Sequence, residues 1–136
     1  MEKQVVYTFP GTTDTVTLTI GTASALDYAR YEALRWEGNR WFNDLTGFNS
    51  WETPEERTPE QQQAVDVMDI AIHRCYMLPC LKRVEWSGEP VMDLANMSLE
   101  AFAVEVPAGL YARWKAAVLT VNPKTFWPDA SEAGNA

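Results

Sequence analysis

The most reactive side chains in this sequence sit close together: His73, Cys75 and Cys80, in the arrangement H-x-C-x4-C. Soft nitrogen and sulfur ligands at short spacing raise the question of zinc. A zinc ion takes four protein ligands, or three with a water, and the chain holds one His and two Cys in all. Residues two apart on a helix also diverge by about 200°, so His73 and Cys75 do not face one site. Cys75 reads as a core residue and His73 as a surface or interface histidine. No metal site is expected.

Acid–base chemistry fares no better. Asp66 and Asp69 are three apart, and Glu55 and Glu56 are adjacent. A glycosidase-like pair has to face a shared pocket, whereas these carboxylates fall on the polar side of an amphipathic pattern and are expected to be solvated. Arg30, Arg35 and Arg40 are five apart and spiral around their helix. Arg74, Lys82 and Arg83 are expected to form a local basic patch near Pro79, as a protein contact or simply in solvent. There is no Gly-rich phosphate loop and no Ser/His/Asp set. The sequence therefore offers no catalytic residue and no cofactor motif, and an enzyme is not expected.

What the chain does offer is aromatic surface, with six Trp in 136 residues. Trp and Tyr bury large areas and dominate interface energetics. Trp36 and Trp114 fall on apolar helical stripes and are expected in the core. Trp41, Trp51, Trp86 and Trp127 lie near element ends or in polar surroundings. Of these, Trp51, Trp86 and Trp127, with Phe126, are the candidate partner-binding residues.

Bulk properties narrow the partners. At 15.4 kDa the chain suits one domain able to bury a core without metals or disulfides. Its net charge of −8 and pI near 4.6 repel phosphate backbones, so nucleic-acid binding is not expected. No apolar run approaches a membrane span, and the opening MEKQVVYTF lacks a signal-peptide core. Two Cys around Pro79 do not make a secreted disulfide framework. The expected compartment is a reducing cytoplasm.

The elements that must position these residues are legible in outline. Gln4 to Phe9 and Val16 to Ile20 flank the turn Pro10-Gly11-Thr12-Thr13-Asp14 and read as a β-hairpin, with Val16, Leu18 and Ile20 on one face. Thr17 and Thr19 would face water or a partner strand. Two strands alone are marginal, so the hairpin must pack on helices or join another sheet. Ser24 with Asp27 starts a helix carrying Leu26, Ala29, Ala33 and Trp36, which loosens at Gly38-Asn39. Residues 46–58 read as a polar linker containing Phe48 and Trp51. Thr58, Pro59 and Gln61 form a capping box for a helix reaching about Leu78, where Pro79 stops it. Ser98 caps a short helix, Leu99 to about Val104. Pro107 opens a last one bearing Leu110, Trp114, Val118 and Val121, ended by Asn122-Pro123. The fold class is α+β, mainly α: a small N-terminal hairpin packed on a compact bundle of about four helices. Residues 1–123 make a single domain, and 124–136 a C-terminal tail.

This order of elements carries a resemblance. The strand pair, the helix with Asp27, and the long helix ending at Leu78-Pro79 come first. Then come Val84-Glu85-Trp86-Ser87-Gly88-Glu89-Pro90-Val91, Met97-Ser98-Leu99-Glu100-Ala101-Phe102, and Val106-Pro107-Ala108-Gly109-Leu110 through Val121-Asn122-Pro123. The pattern resembles the tail assembly chaperones of long-tailed bacteriophages over most of residues 5–123, best over 84–123. Its motifs are soft and include no invariant chemical residue. The resemblance implies a non-enzymatic chaperone in the host cytoplasm. Such a chaperone binds the aggregation-prone tape-measure protein and helps tail-tube subunits assemble around it; contact with the tail-tube protein and a homo-oligomer are left open as further partners. The competing expectation is a structural virion adaptor or connector that forms oligomeric rings.

Overall fold

Alternation of apolar residues with threonine in Thr15–Gly21 produces the central strand of the structure. Val16, Leu18 and Ile20 are fully buried on one face, each worth about 1.5–3 kcal/mol once withdrawn from water. The computed structural model describes residues 1–46 and 57–122. Its elements in chain order are β1 (Glu2–Thr8), β2 (Thr15–Gly21), α1 (Ala25–Thr46), α2 (Pro59–Met77), β3 (Leu81–Trp86), α3 (Leu99–Glu105) and α4 (Ala108–Val121). The fold is α+β and mainly helical, with the N-terminal hairpin packed against helices. Most of the 46–58 linker, with Phe48 and Trp51, and the tail with Phe126 and Trp127 lie outside the described residues.

The hairpin closes where expected. Gly11 takes the positive φ (76°) that its turn requires, and Phe9 N–H donates to Asp14 O at 3.0 Å. It is not left as a pair. Leu81–Trp86, to which the sequence reading assigned no structure, adds as a third antiparallel strand in the order β1-β2-β3. Val16 pairs with Trp86, Leu18 with Val84 and Ile20 with Leu81, the register shifting between Thr19 and Ile20. That bulge puts Leu81 and Val84, three apart, on the same face. It also frees Lys82 to lie over Gly21, where a Cβ would come within 2.8 Å of the lysine Cγ, and to bond the Asp27 carboxylate.

α4 lies on β1 and β2, and α2 packs against α1, α3 and α4. Leu110, Trp114, Ala117, Val118 and Val121 are the buried face of α4, as its spacing predicts. The Trp114 indole donates to Met77 O at 3.2 Å, which joins the middle of α4 to the end of α2. α2 itself starts on the expected capping box: Thr58 Oγ1 accepts from Gln61 N at 3.2 Å and Gln61 Oε1 from Thr58 N at 2.8 Å. Ser24 and Asp27 exchange the same reciprocal bonds at the start of α1.

Four expectations are overturned. α1 does not break at Gly38-Asn39; it runs unbroken to Thr46. Gly38 is tolerated because it is the point of closest approach to α2: a Cβ there would sit 3.2 Å from Ala71 Cβ. Consequently α1 turns Tyr31 and Gly38 toward α2, and Trp36 points away, 70% exposed instead of buried in the core. Arg74 forms no basic patch with Lys82 and Arg83. It is 4% exposed and donates to Met97 O at 2.8 Å, with Glu37 at 3.6 Å and the Phe102 ring under its guanidinium. Thr19 is likewise buried, and its hydroxyl has no partner among the described residues.

Candidate functional site

Trp86 ends β3 on the core side of the sheet, opposite Val16. One face of its indole stacks on Phe9, with centroids 5.7 Å apart and planes 20° off parallel. Phe9 in turn meets Tyr7 edge-on at 5.2 Å. Aromatic pairs in these geometries add about 0.5–1.5 kcal/mol beyond area burial. Trp86 is thus half-buried and held rigid, not freely exposed.

The rest of Trp86 lines an open groove of about 500 Å³, with Val84 from β3 and Pro90, Val91, Met92 and Leu94 from the segment that follows. That segment is pinned along its length. Ser87 N–H donates to Thr15 O at 3.0 Å and its hydroxyl accepts from Thr15 N at 2.8 Å. Asn96 bonds the Asp93 carboxylate, Arg30 reaches Ala95 O at 3.2 Å, and Arg74 holds Met97 O. Leu94 and Met97 plug into the core while Val91 stays 55% exposed. A flexible Met beside a fixed Trp on a preformed wall is suited to apolar side chains of varied shape. From sequence, Pro90 and Val91 figure only in the resemblance, and Met92 not at all. Their signal was the Gly88-x-Pro90-Val91 turn directly after Trp86.

Of the four predicted partner-binding residues, Trp86 lies at this groove; Trp51, Phe126 and Trp127 fall outside the described residues. Trp41, the other boundary tryptophan in view, belongs to α1, and its indole donates to Glu100 Oε1 at 2.9 Å across to α3.

The reactive side chains are occupied by the fold. Cys75 donates its thiol to Ala71 O at 3.1 Å, and Cys80 accepts from Asn122 Nδ2 at 3.5 Å. Burial pushes both thiols up to about 11, so they are protonated, weak nucleophiles at neutral pH. His73 Nδ1 lies 3.0 Å from the Tyr111 hydroxyl. Burial, and then the Lys115 charge, hold His73 below the ordinary imidazole value against a weaker opposing pull from Asp69. Asp66 and Asp69 are solvent-facing, as expected. Among the described residues no three His, Cys, Asp or Glu side chains come together as metal ligands, and no helix is long and apolar enough to cross a membrane.

Fold and groove together define a small, mainly helical α+β protein with an open, largely apolar groove walled by Trp86 beside its sheet. No protein-family model matches the chain, and no curated protein and no solved structure matches it either.

Proposed function

We propose that this chain is a non-enzymatic binding protein that holds an apolar segment of a client in the Trp86 groove. In line with the resemblance of its sequence, its role is that of a phage tail assembly chaperone working in the host cytoplasm. The client is then the tape-measure protein, kept soluble while tail-tube subunits assemble. The observation that carries this reading is the groove itself: about 500 Å³, apolar in its lining apart from Asp93, and walled by a Trp fixed on Phe9. Preorganised aromatic anchors bind at low entropic cost. The net charge of −8 would keep a complex with a hydrophobic client from precipitating.

In the virion-adaptor reading the hairpin would recruit a neighbouring strand at its edge. A main-chain acceptor of the edge strand β1 is already engaged, since the Arg113 guanidinium bonds Val6 O.

Co-expression with the tape-measure protein of the same phage tests the proposal. The client should stay soluble with the wild-type chain and precipitate with Val91→Asp, which puts a charge in the groove at a position 55% exposed. Client solubility that is the same with and without the chain, together with its presence in finished particles, would overturn the chaperone in favour of the adaptor.

A further inference from the structure

The outer face of α1 carries a pattern that the contacts among the described residues leave largely uncovered. Leu26 is 80% and Trp36 70% exposed. Ala29, Arg30, Ala33, Glu37 and Arg40 are exposed beside them. A solvent-facing Trp on an ordered helix leaves a large apolar area uncovered.

These residues fall into three rows, each with a spacing of seven: Leu26–Ala33–Arg40, Ala29–Trp36 and Arg30–Glu37. Seven residues is close to two helical turns, so each row runs nearly parallel to the helix axis. The Ala33 row lies in the middle, the Trp36 row on one flank and the Arg30 row on the other.

We infer that α1 is a self-association helix, in which two copies of this chain pair α1 against α1, antiparallel, about a two-fold axis at Ala33. An antiparallel two-fold sets each flank against the same flank of the other copy. With Ala33 on the axis, Ala29 then comes level with Trp36 of the other copy, so each indole covers a small residue. Arg30 comes level with Glu37 of the other copy, giving two opposite-charge pairs by symmetry. Leu26 meets the aliphatic stem of Arg40. Two alanines at the centre let the helices approach to about 8 Å. All three rows register from the same axis. A parallel pairing would instead set the Arg30–Glu37 row against the Ala29–Trp36 row and leave the charges unmatched.

The charged partners are available for this. Glu37 is ion-paired with Arg74 through Oε2 at 3.6 Å, and with its side chain 49% exposed its carboxylate keeps acceptor sites for a second guanidinium. Arg30 spends one of its guanidinium N–H groups on Ala95 O and keeps others free to donate. The α1 face meets the Trp86 groove through Arg30, which bonds Ala95 O of the groove wall, so Ala33→Arg is the variant that separates self-association from client binding.

Sedimentation of the full chain over a range of concentrations tests the pairing. The wild type should move from 15.4 kDa toward twice that mass. Ala33→Arg, at an exposed position, should raise the dissociation constant at least tenfold. Arg30→Glu alone and Glu37→Arg alone each set like charges together and should be monomeric, while an equimolar mixture of the two should dimerise. Ala33→Cys, with Cys75 and Cys80 both buried, should cross-link to itself on mild oxidation, and this decides the matter if Glu37→Arg is poorly folded. A wild type that is monomeric throughout, or a dimer that Ala33→Arg leaves intact and Ala33→Cys does not cross-link, would overturn the inference.

Discussion

Trp114 Nε1 donates to the backbone carbonyl of Met77 at 3.2 Å, with both side chains fully buried. The bond ties the centre of α4 to the last residue of α2, where the capped helix has run out of intrahelical donors. Phe102 from α3 meets the same indole edge-on at 5.7 Å. Three helices therefore converge on one side chain.

Trp114→Ala should accordingly cost about 3–5 kcal/mol, from lost burial plus the cavity left behind, and lower the melting temperature by roughly 10–20 °C. Trp114→Phe should cost less, because it keeps most of the packing and leaves only the Met77 carbonyl unpaired. Thermal unfolding followed by near-UV circular dichroism reads both. An unchanged melting temperature for Trp114→Ala would remove it from the core.

Asn122 is a second junction, fully buried where α4 ends. Its carbonyl accepts from Ala23 N at 2.8 Å, and its amide donates to Gly21 O at 3.1 Å and Val118 O at 3.3 Å. It satisfies the chain where it leaves β2 toward α1. Asn122→Ala takes this partner from the buried Gly21 O and the part-buried Ala23 N–H and should cost roughly 2–4 kcal/mol. Asn122→Asp removes the donor and buries a charge, so it should be at least as damaging at neutral pH and partly recover as the carboxyl protonates. Urea denaturation at two pH values would separate the two variants; equal stability of Asn122→Ala and wild type would contradict the assignment.

The single histidine should make stability fall on mild acidification. Burial holds the His73 imidazole of the folded chain below its ordinary 6.5, with Lys115 acting in the same direction. Between the folded and unfolded values the unfolded chain binds more protons, so stability rises with pH across that window. The contribution is full above about 6.5 and is lost as pH falls through the folded value, before most carboxylates titrate. His73→Gln should flatten the melting temperature between about pH 7.5 and 5.5 while the wild type slopes. A slope that survives His73→Gln would assign the effect to other groups.

Some of this architecture is set by residues that act on their near neighbours. Thr58 and Gln61 cap α2 by reaching each other across a single turn, and no tertiary contact is needed to specify that start. Val16, Leu18 and Ile20 alternate cleanly. Leu110, Trp114, Val118 and Val121 make one stripe with no competing face. Hence the hairpin, α2 and α4 were legible in the sequence, and so was the burial of Trp114.

The other elements depended on partners distant in sequence. α1 offers apolar residues on two sides, Leu26–Ala33–Trp36 and Tyr31–Phe42, and local spacing cannot choose between them. Packing on α2 makes the choice: Gly38 lies against Ala71 and Tyr31 against Tyr76, which leaves Trp36 outward. β3 was hidden because the bulge at Lys82 breaks the two-residue period, and it becomes a strand only by pairing with β2. The groove at Trp86 joins the end of that strand to the segment after it. Its shape exists only once β3 is in register and Leu94 is seated in the core, because a concave surface is a property of packed elements and not of any one of them.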